Sequence, residues 1–329
     1  LREVSCETNP NHLEGERMEA LRGRVQRLSV GVQSFNNDLL RQMQRYDRLG
    51  SGELNLARIQ SVAGMFPSLN VDMIYNFPNQ SEEMLREDIA AVIASGADQV
   101  TFYPLMTSDS VEKSMRNSVG RVDARREPRY FEIIARELEG VFTPTSAWTF
   151  NRPQKTGGMI DEYIVEYEEY VGIGSGAFSY LDGALYTNTF SVREYNAQLD
   201  AGKLPVAGVQ KFSLDDRMRY RFMMELFGLK LDRERFRRDF GRRVEWGLWR
   251  EMLFLRLYGA FQRGGGTLLK LTPRGRYLLV IMMQQFFSGV NHIHDQARKA
   301  LASSEPGLFP IESGCQSEVG VSKPPAIRI

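Results

Sequence analysis

The feature that most constrains the fold is a pair of apolar segments of strand length, residues 24–35 (RVQRLSVGVQSF) and 70–80 (NVDMIYNFPNQ), separated by a helix-compatible run. Each is β-branched or aromatic through its middle and ends in polar groups beside Gly, Asn or Pro. Parallel strands of an α/β barrel or open sheet look like this, because both faces of the strand body are buried and the chemistry is left to the carboxyl ends. The polar groups at those ends are Gln33, Ser34 and Asn36 on the first segment and Asp72, Asn76 and Gln80 on the second.

The flanking chain repeats the pattern. Residues 2–10 alternate and stop at Asn9-Pro10-Asn11, which predicts a strand ending in Glu7, Thr8 and Asn9. Leu13, Met18 and Leu21 stand at helical spacing and predict its return helix over 13–22. Further helices are predicted over 38–47, 54–65 and 82–95, the last closed by Gly96, with a fourth strand over 99–106 (QVTFYPLM). Four β-α repeats, each of about 30 residues, imply parallel strands joined by right-handed crossovers.

Beyond the fourth strand the character changes. A helix over 128–138 is followed by a loop over 149–158 bearing Arg152-Pro153, a Tyr- and Glu-rich stretch over 161–170, and a glycine cluster over 172–179 (GIGSGAFS) that closes another short strand. Residues 213–240 and 245–261 read as Arg-rich helix. Glycines 264–266 make a turn, 267–275 (TLLKLTPRG) a hairpin-like pair broken at Pro273, and 276–301 a final helix. The expected organisation is a barrel with an extension over 1–210, a small helical, winged-helix-like domain over 211–302, and a disordered tail over 303–329, which is poor in apolar residues and holds four prolines. A first residue of Leu, leading directly into a strand, predicts that the chain begins inside a domain.

The balance of 42 Lys+Arg against 41 Asp+Glu provides no global field for nucleic acid or a membrane surface, so a small partner is expected. No apolar run approaches the roughly 20 residues of a membrane span and no secretory signal opens the sequence, which predicts a cytoplasmic protein. The two cysteines, Cys6 and Cys315, exclude a disulfide framework and any local metal site, and His12, His292 and His294 lack ligand spacing. No nucleophile, histidine and acid constellation can be assembled. The GxGxG at Gly172 lacks the helix and distant acid of a dinucleotide site and reads first as a packing turn. The run of Arg233, Arg235, Arg237, Arg238, Arg242 and Arg243 alternates with acids, as solvated helix faces do, with carboxylate recognition as the other use. What remains is the strand-end rim. Glu7, Gln33, Arg45 and Asp72 come from successive β-α units and suit a small polar ligand at a barrel mouth.

The segments ETNPNHL (7–13), RLSVGVQSFNNDLLRQMQR (27–45), NVDMIYNFPNQ and QVTFYPLM, together with Arg152-Pro153, GIGSGAFS and LTPRGRYLLVIMMQQFF, resemble the radical S-adenosylmethionine (SAM) enzymes of the oxygen-independent coproporphyrinogen III oxidase group. The likeness runs to about residue 302. Within that group, residues 164–191, 209–232 and 286–298 resemble the heme-degrading radical SAM methyltransferases of the anaerobilin synthase type.

The resemblance implies a partial (β/α)6 barrel that starts from about its third strand, a [4Fe-4S] cluster, SAM cleaved to a deoxyadenosyl radical, and a reduced flavodoxin-type electron donor. For the heme-degrading type it implies methyl transfer to heme, opening of the ring to a linear tetrapyrrole and release of iron. It also implies roles for single residues. Glu7 would take the SAM ammonium, Arg45 its carboxylate, and Gln33 and Asp72 the ribose hydroxyls. Ile74, Phe102 and Phe178 would give apolar contacts to the adenine or a second SAM, with core packing as the alternative use of each. Tyr103 and Tyr180 would wall a tetrapyrrole whose propionates meet Arg152 and Arg276. The CxxxCxxC loop of the group is not in this sequence, so the cluster ligands are expected upstream of Leu1 and no metal ligand is assigned here. Two alternatives stand beside ring opening: the coproporphyrinogen decarboxylase itself, and a heme-binding relative without radical chemistry.

Overall fold

The computed structural model describes residues 3–106, 120–153, 169–264 and 266–302, with 290–302 as helical backbone only. Most of the Tyr- and Glu-rich stretch, Gly265, the side chains of His292 and His294, Cys315 and the expected tail lie outside the described residues. The chain divides into two compact units, Leu1–Met106 with Val111–Asp161 and Thr107–Ser110 with Glu162–Ile329. Residue 210, where the expected boundary falls, lies inside the second unit. Among the described residues, no helix is long and apolar enough to cross a membrane.

The first unit is built on a six-stranded sheet. Strands β1 (Ser5–Thr8), β2 (Arg27–Gln33), β3 (Ser68–Tyr75) and β4 (Gln99–Pro104) lie side by side and parallel, as the β-α alternation predicts. An antiparallel pair, β5 (Thr143–Pro144) and β6 (Thr149–Asn151), then closes the order β1-β2-β3-β4-β6-β5. The crossovers hold helices α1 (Glu16–Leu21), α2 (Asn37–Gln42), α3 (Tyr46–Leu49), α4 (Gly52–Val62) and α5 (Glu82–Ala94), with α6 (Glu127–Glu137) after β4.

Local sequence explains these elements. Ser81 caps α5 by accepting the Met84 N–H, Glu82 and Glu83 sit in its positive first turn, and Leu85, Ile89 and Val92 recur at helical spacing as its buried side. Asn36 caps α2 through the N–H groups of Asp38 and Leu39.

Period-two alternation gives the sheet two unlike faces. Leu28, Val30, Val32, Leu69, Val71, Met73, Val100 and Phe102 fill one, all essentially inaccessible, each stabilising the fold by about 1.5–3 kcal/mol as it leaves water. Alternate positions make the other face polar: Arg27 and Ser29 on β2, Ser68, Asn70 and Asp72 on β3, and Gln99 and Thr101 on β4. At its amino end Arg27 Nε donates to Gln99 Oε1 at 2.8 Å and Gln99 Nε2 to Asn151 Oδ1 at 2.9 Å.

The second unit holds a three-stranded antiparallel sheet, β7 (Phe178–Leu181), β8 (Ala184–Asn188) and β9 (Val206–Lys211), with α7 (Val192–Asp200) between the last two strands. Helices α8 (Leu214–Phe227), α9 (Arg233–Phe240), α10 (Val244–Gly247), α11 (Trp249–Tyr258) and α12 (Pro273–Ala302) follow. A two-stranded sheet of β10 (Lys230–Asp232) and β11 (Leu268–Lys270) is set among them.

Several expectations are corrected here. The predicted 149–158 loop begins with β6, because Thr149–Asn151 finds a partner in Gln99–Thr101. The glycine cluster runs into a strand, β7, at Phe178, and most of the segment before it lies outside the described residues. Residues 213–240 are two helices parted by β10, and 267–275 contributes a strand that pairs with β10 instead of folding on itself.

Candidate active site at the carboxyl ends of the parallel strands

The polar face of the first sheet leads to the carboxyl ends of β1 to β4. There the backbone leaves regular geometry. Gln33, Gln44 and Asn76 are three of the five non-glycine residues with positive φ among the described residues, at 74°, 55° and 69°. Each costs on the order of 1–3 kcal/mol, and such strain persists where the surroundings over-determine it.

Gly31 shows what gathers at this point. It is the rung partner of Asp72, and a Cβ on it would lie 3.1 Å from Gln33 Nε2, 3.7 Å from the Thr8 carbonyl oxygen and 3.8 Å from Arg45 Nη2. The space that a side chain would occupy is where the tips of Gln33 and Arg45 meet.

Arg45, at the start of α3, reaches over two strand ends. Its Nη2 donates to Asn9 Oδ1 at 3.0 Å and to the Gly31 carbonyl, while Nε is buried without a hydrogen-bond partner. No described carboxylate pairs with it. Burial, with the neighbouring Arg48 cation second, holds the guanidinium below the usual arginine range. A half-buried cation without its own anion is suited to an anionic ligand.

Asp72 is half-buried and held from behind: Ser29 Oγ donates to Oδ2 at 2.7 Å and Asn70 Nδ2 to Oδ1 at 2.8 Å. Glu7 is exposed on β1 and pairs in register with Ser29, which pairs with Asn70, so it shares Asp72's face one rung toward the amino end. Ile74 and Tyr103 are register partners on the same face, and the Tyr103 ring tilts against Trp148 at 5.0 Å between centroids. Trp148, nearly inaccessible, belongs to this wall and is not evident from the sequence, because nothing local ties it to β4.

Other expected site groups are spent on structure. Ser34 is buried and donates to Asp88, Asn36 caps α2, and Gln80 Oε1 accepts the Asn76 N–H at 2.7 Å. Phe102 lies on the apolar face, opposite Asp72, so packing is its use. Arg152 stands beyond the amino end of β4, away from the rim. Its Nε donates to the Ala97 carbonyl at 2.7 Å and its Nη2 to the Ile93 carbonyl at 2.9 Å, which corrects its expected propionate role.

Phe178, Tyr180 and Arg276 belong to the second unit. Phe178 is half-buried beside Phe190, with 6.5 Å between ring centroids. Tyr180 is a core residue, 4.8 Å from Tyr220 and 5.5 Å from Phe212, and does not wall a ligand. Arg276 is likewise buried near the start of α12 and presents no surface cation. The GxGxG segment is a packing turn: Asn188 Nδ2 donates to the Gly172 and Gly174 carbonyls, and a Cβ on Gly172 would lie 2.1 Å from the Phe178 oxygen.

No family model matches the chain. It is 29% identical over 203 residues to the heme chaperone HemW of Lactococcus lactis, covering 59% of this chain and 52% of the relative. It is 23% identical over 253 residues to HemW of Bacillus subtilis, covering 74% and 65%. With the oxygen-independent coproporphyrinogen III oxidase of Paracoccus denitrificans, identity is 27% over 311 residues, covering 86% and 66%. The chain thus spans about half to two thirds of the length of these curated relatives.

The chain resembles the HemW and coproporphyrinogen oxidase group. Its fold is also that of coproporphyrinogen III oxidase (HemN) from Escherichia coli, a radical SAM enzyme, with a TM-score of 0.69 at 19% identity over 86% of this chain and 69% of that one. None of these relatives bears the name of a ring-opening methyltransferase, and that expectation gives way to the two alternatives stated beside it.

The fold group implies SAM and a [4Fe-4S] cluster. SAM fits the residues present, given the orphaned Arg45 Nε and the meeting of the Gln33 and Arg45 tips over Gly31. The cluster does not: Cys6 sits half-buried in β1 with Sγ 3.8 Å from the Glu7 oxygen, and no group of three or more His, Cys, Asp or Glu side chains among the described residues could hold a metal.

Proposed function

We propose that this chain is the adenosyl-binding part of a tetrapyrrole-handling protein of the HemW type. The observation that supports this most directly is Arg45, held over the ends of β1 and β2 with a buried, unpartnered Nε and no described carboxylate of its own. A zwitterionic amino acid joined to a ribose complements the rim. Arg45 takes the carboxylate and Glu7 the ammonium, Gln33 and Asp72 take the ribose hydroxyls, and Ile74 and Tyr103 provide the apolar wall. Bound SAM supplies a carbon radical only with a reduced cluster, whose ligands are not among these residues, so the reading stops at binding and orientation.

The tetrapyrrole part rests on the relatives, two of which are named heme chaperones. A second reading, decarboxylation of coproporphyrinogen III, is favoured by the Paracoccus enzyme, which matches over 86% of this chain.

The test is calorimetric binding of S-adenosylhomocysteine to the full chain, which needs no cluster. Arg45→Ala and Asp72→Ala are expected to weaken binding on the order of ten- to a hundredfold each, the range for a hydrogen bond to a charged group. Unchanged affinity in both variants would reject the site. A shift of the hemin Soret band at one equivalent supports the HemW-type reading, whereas binding of coproporphyrinogen III without hemin binding selects the decarboxylase.

A further inference from the structure

The polar face of the first sheet carries a chain of hydrogen bonds that leads to Asp72 and is aimed in one direction. Thr101 Oγ1 donates to Asn70 Oδ1 at 3.2 Å and lies 3.4 Å from Thr149 Oγ1. Asn70 Nδ2 then donates to Ser29 Oγ at 2.8 Å and to Asp72 Oδ1 at 2.8 Å, and Ser29 Oγ donates to Asp72 Oδ2 at 2.7 Å. Thr101, Thr149 and Asn70 are fully buried and Ser29 nearly so, whereas Asp72 reaches the rim.

The orientation of each group follows from what it can give. An amide nitrogen has two hydrogens and no acceptor capacity, so Asn70 gives one to Ser29 and one to Asp72 while its oxygen takes the Thr101 hydroxyl. Ser29 has one hydrogen, and since it accepts from Asn70 it must give that hydrogen to Asp72. Each Asp72 oxygen thus accepts a donor from behind, and these bonds fix the plane of the carboxylate. A buried network satisfied at this level specifies one geometry.

We propose that Asn70 and Ser29 are positioning residues that lock the Asp72 carboxylate in the plane that accepts a ribose cis-diol, so that the rim selects ribonucleosides over deoxyribonucleosides. The inference rests on the adenosyl-site reading above. Neither residue touches the ligand. They act through Asp72, because a carboxylate free to turn would meet two adjacent hydroxyls no better than one.

The experiment compares S-adenosylhomocysteine with its 2′-deoxy analogue on the full chain by calorimetry. Wild type is expected to prefer the ribose ligand by about tenfold or more, the worth of a hydrogen bond to a charged acceptor. Asn70→Ala is expected to reduce that preference to about threefold or less. Since Asn70 is a core residue, Ser29→Ala serves as the second variant, because it deletes a single oxygen and keeps the packing. In Ser29→Ala the deoxy ligand should bind as it does to wild type, so the loss falls on the ribose ligand alone. A wild-type ratio in Ser29→Ala overturns the proposal, as does an equal loss for both ligands, which marks a purely structural role. A wild type that binds neither ligand overturns the adenosyl site as well. A wild type that discriminates, with a Ser29→Ala that still does, overturns this inference alone.

Discussion

Asp88 sits buried on α5, 54 residues from the Ser34 hydroxyl that donates to it at 2.8 Å, and it also accepts the Phe35 N–H at 2.6 Å. Burial pushes its carboxyl up from an ordinary 3.8 to about 7, against the pull of those two donors. A carboxyl raised in the folded state binds a proton that the unfolded chain has released, so its stabilising effect is full below the unfolded value and lost as pH rises through the folded one. The fold should lose stability between about pH 4 and pH 7 by at most about 1.4 kcal/mol per pH unit from this group, then level off. Urea denaturation of wild type and Asp88→Asn across that window measures it. The wild-type curve should fall relative to the variant, and parallel curves would show that Asp88 does not titrate there. The same residue explains why the rim was only partly legible. Ser34 and Asn36 carry the polar groups that a strand end offers a ligand, yet one answers to a carboxylate far away in sequence and the other to the next helix. Arg45 and Asp72 look no different as letters. What separates them is the identity of their partners, which local sequence does not contain.

At the scale of elements, the segment that follows β2 meets the start of α4 at a contact that only glycine permits. A Cβ on Gly52, the first residue of α4, would lie 1.7 Å from the Phe35 carbonyl oxygen, and the Gly52 N–H donates to Asn37 Oδ1 at 2.8 Å. Gly52→Ala should therefore cost about 1–3 kcal/mol or more, since backbone cannot yield as a flexible side chain does. It should also weaken S-adenosylhomocysteine binding, because the displaced segment continues directly from Gln33. Chemical denaturation and calorimetry check the two effects, and wild-type stability would refute the contact. The parallel strands β1 to β4 were legible because each buries an apolar body between polar ends. The three-residue strands β6 and β10 were not, being defined by partners elsewhere in the chain. The hairpin of β7 and β8 does carry a local signal. Asp182-Gly183, at φ of 45° and 70°, is an Asp-Gly turn between alternating segments, the strongest short-range hairpin mark.

For the whole molecule, the two units can be watched separately through tryptophan. Trp148 lies in the first unit, and Trp246 and Trp249 lie exposed in the second. With Trp246→Phe and Trp249→Phe, fluorescence reports the unit that holds the adenosyl site. Saturation with S-adenosylhomocysteine at about 100 times its Kd should stabilise that unit by about 2.7 kcal/mol. An unmoved Trp148 transition would place the ligand elsewhere. Apart from the Asn70–Asp72 bond, which spans two positions, the bonds of the network that orients Asp72 join residues 31 to 43 positions apart along the chain. Contacts of that span form only after long loops have closed, later than any helix of the unit. A collapsed chain with its helices formed but β2, β3 and β4 not yet in register would hold Asp72 in no fixed plane. During refolding, then, the onset of adenosyl binding should trail the helical signal, and ligand capture becomes a clock for the last strand pairing instead of a measure of secondary structure.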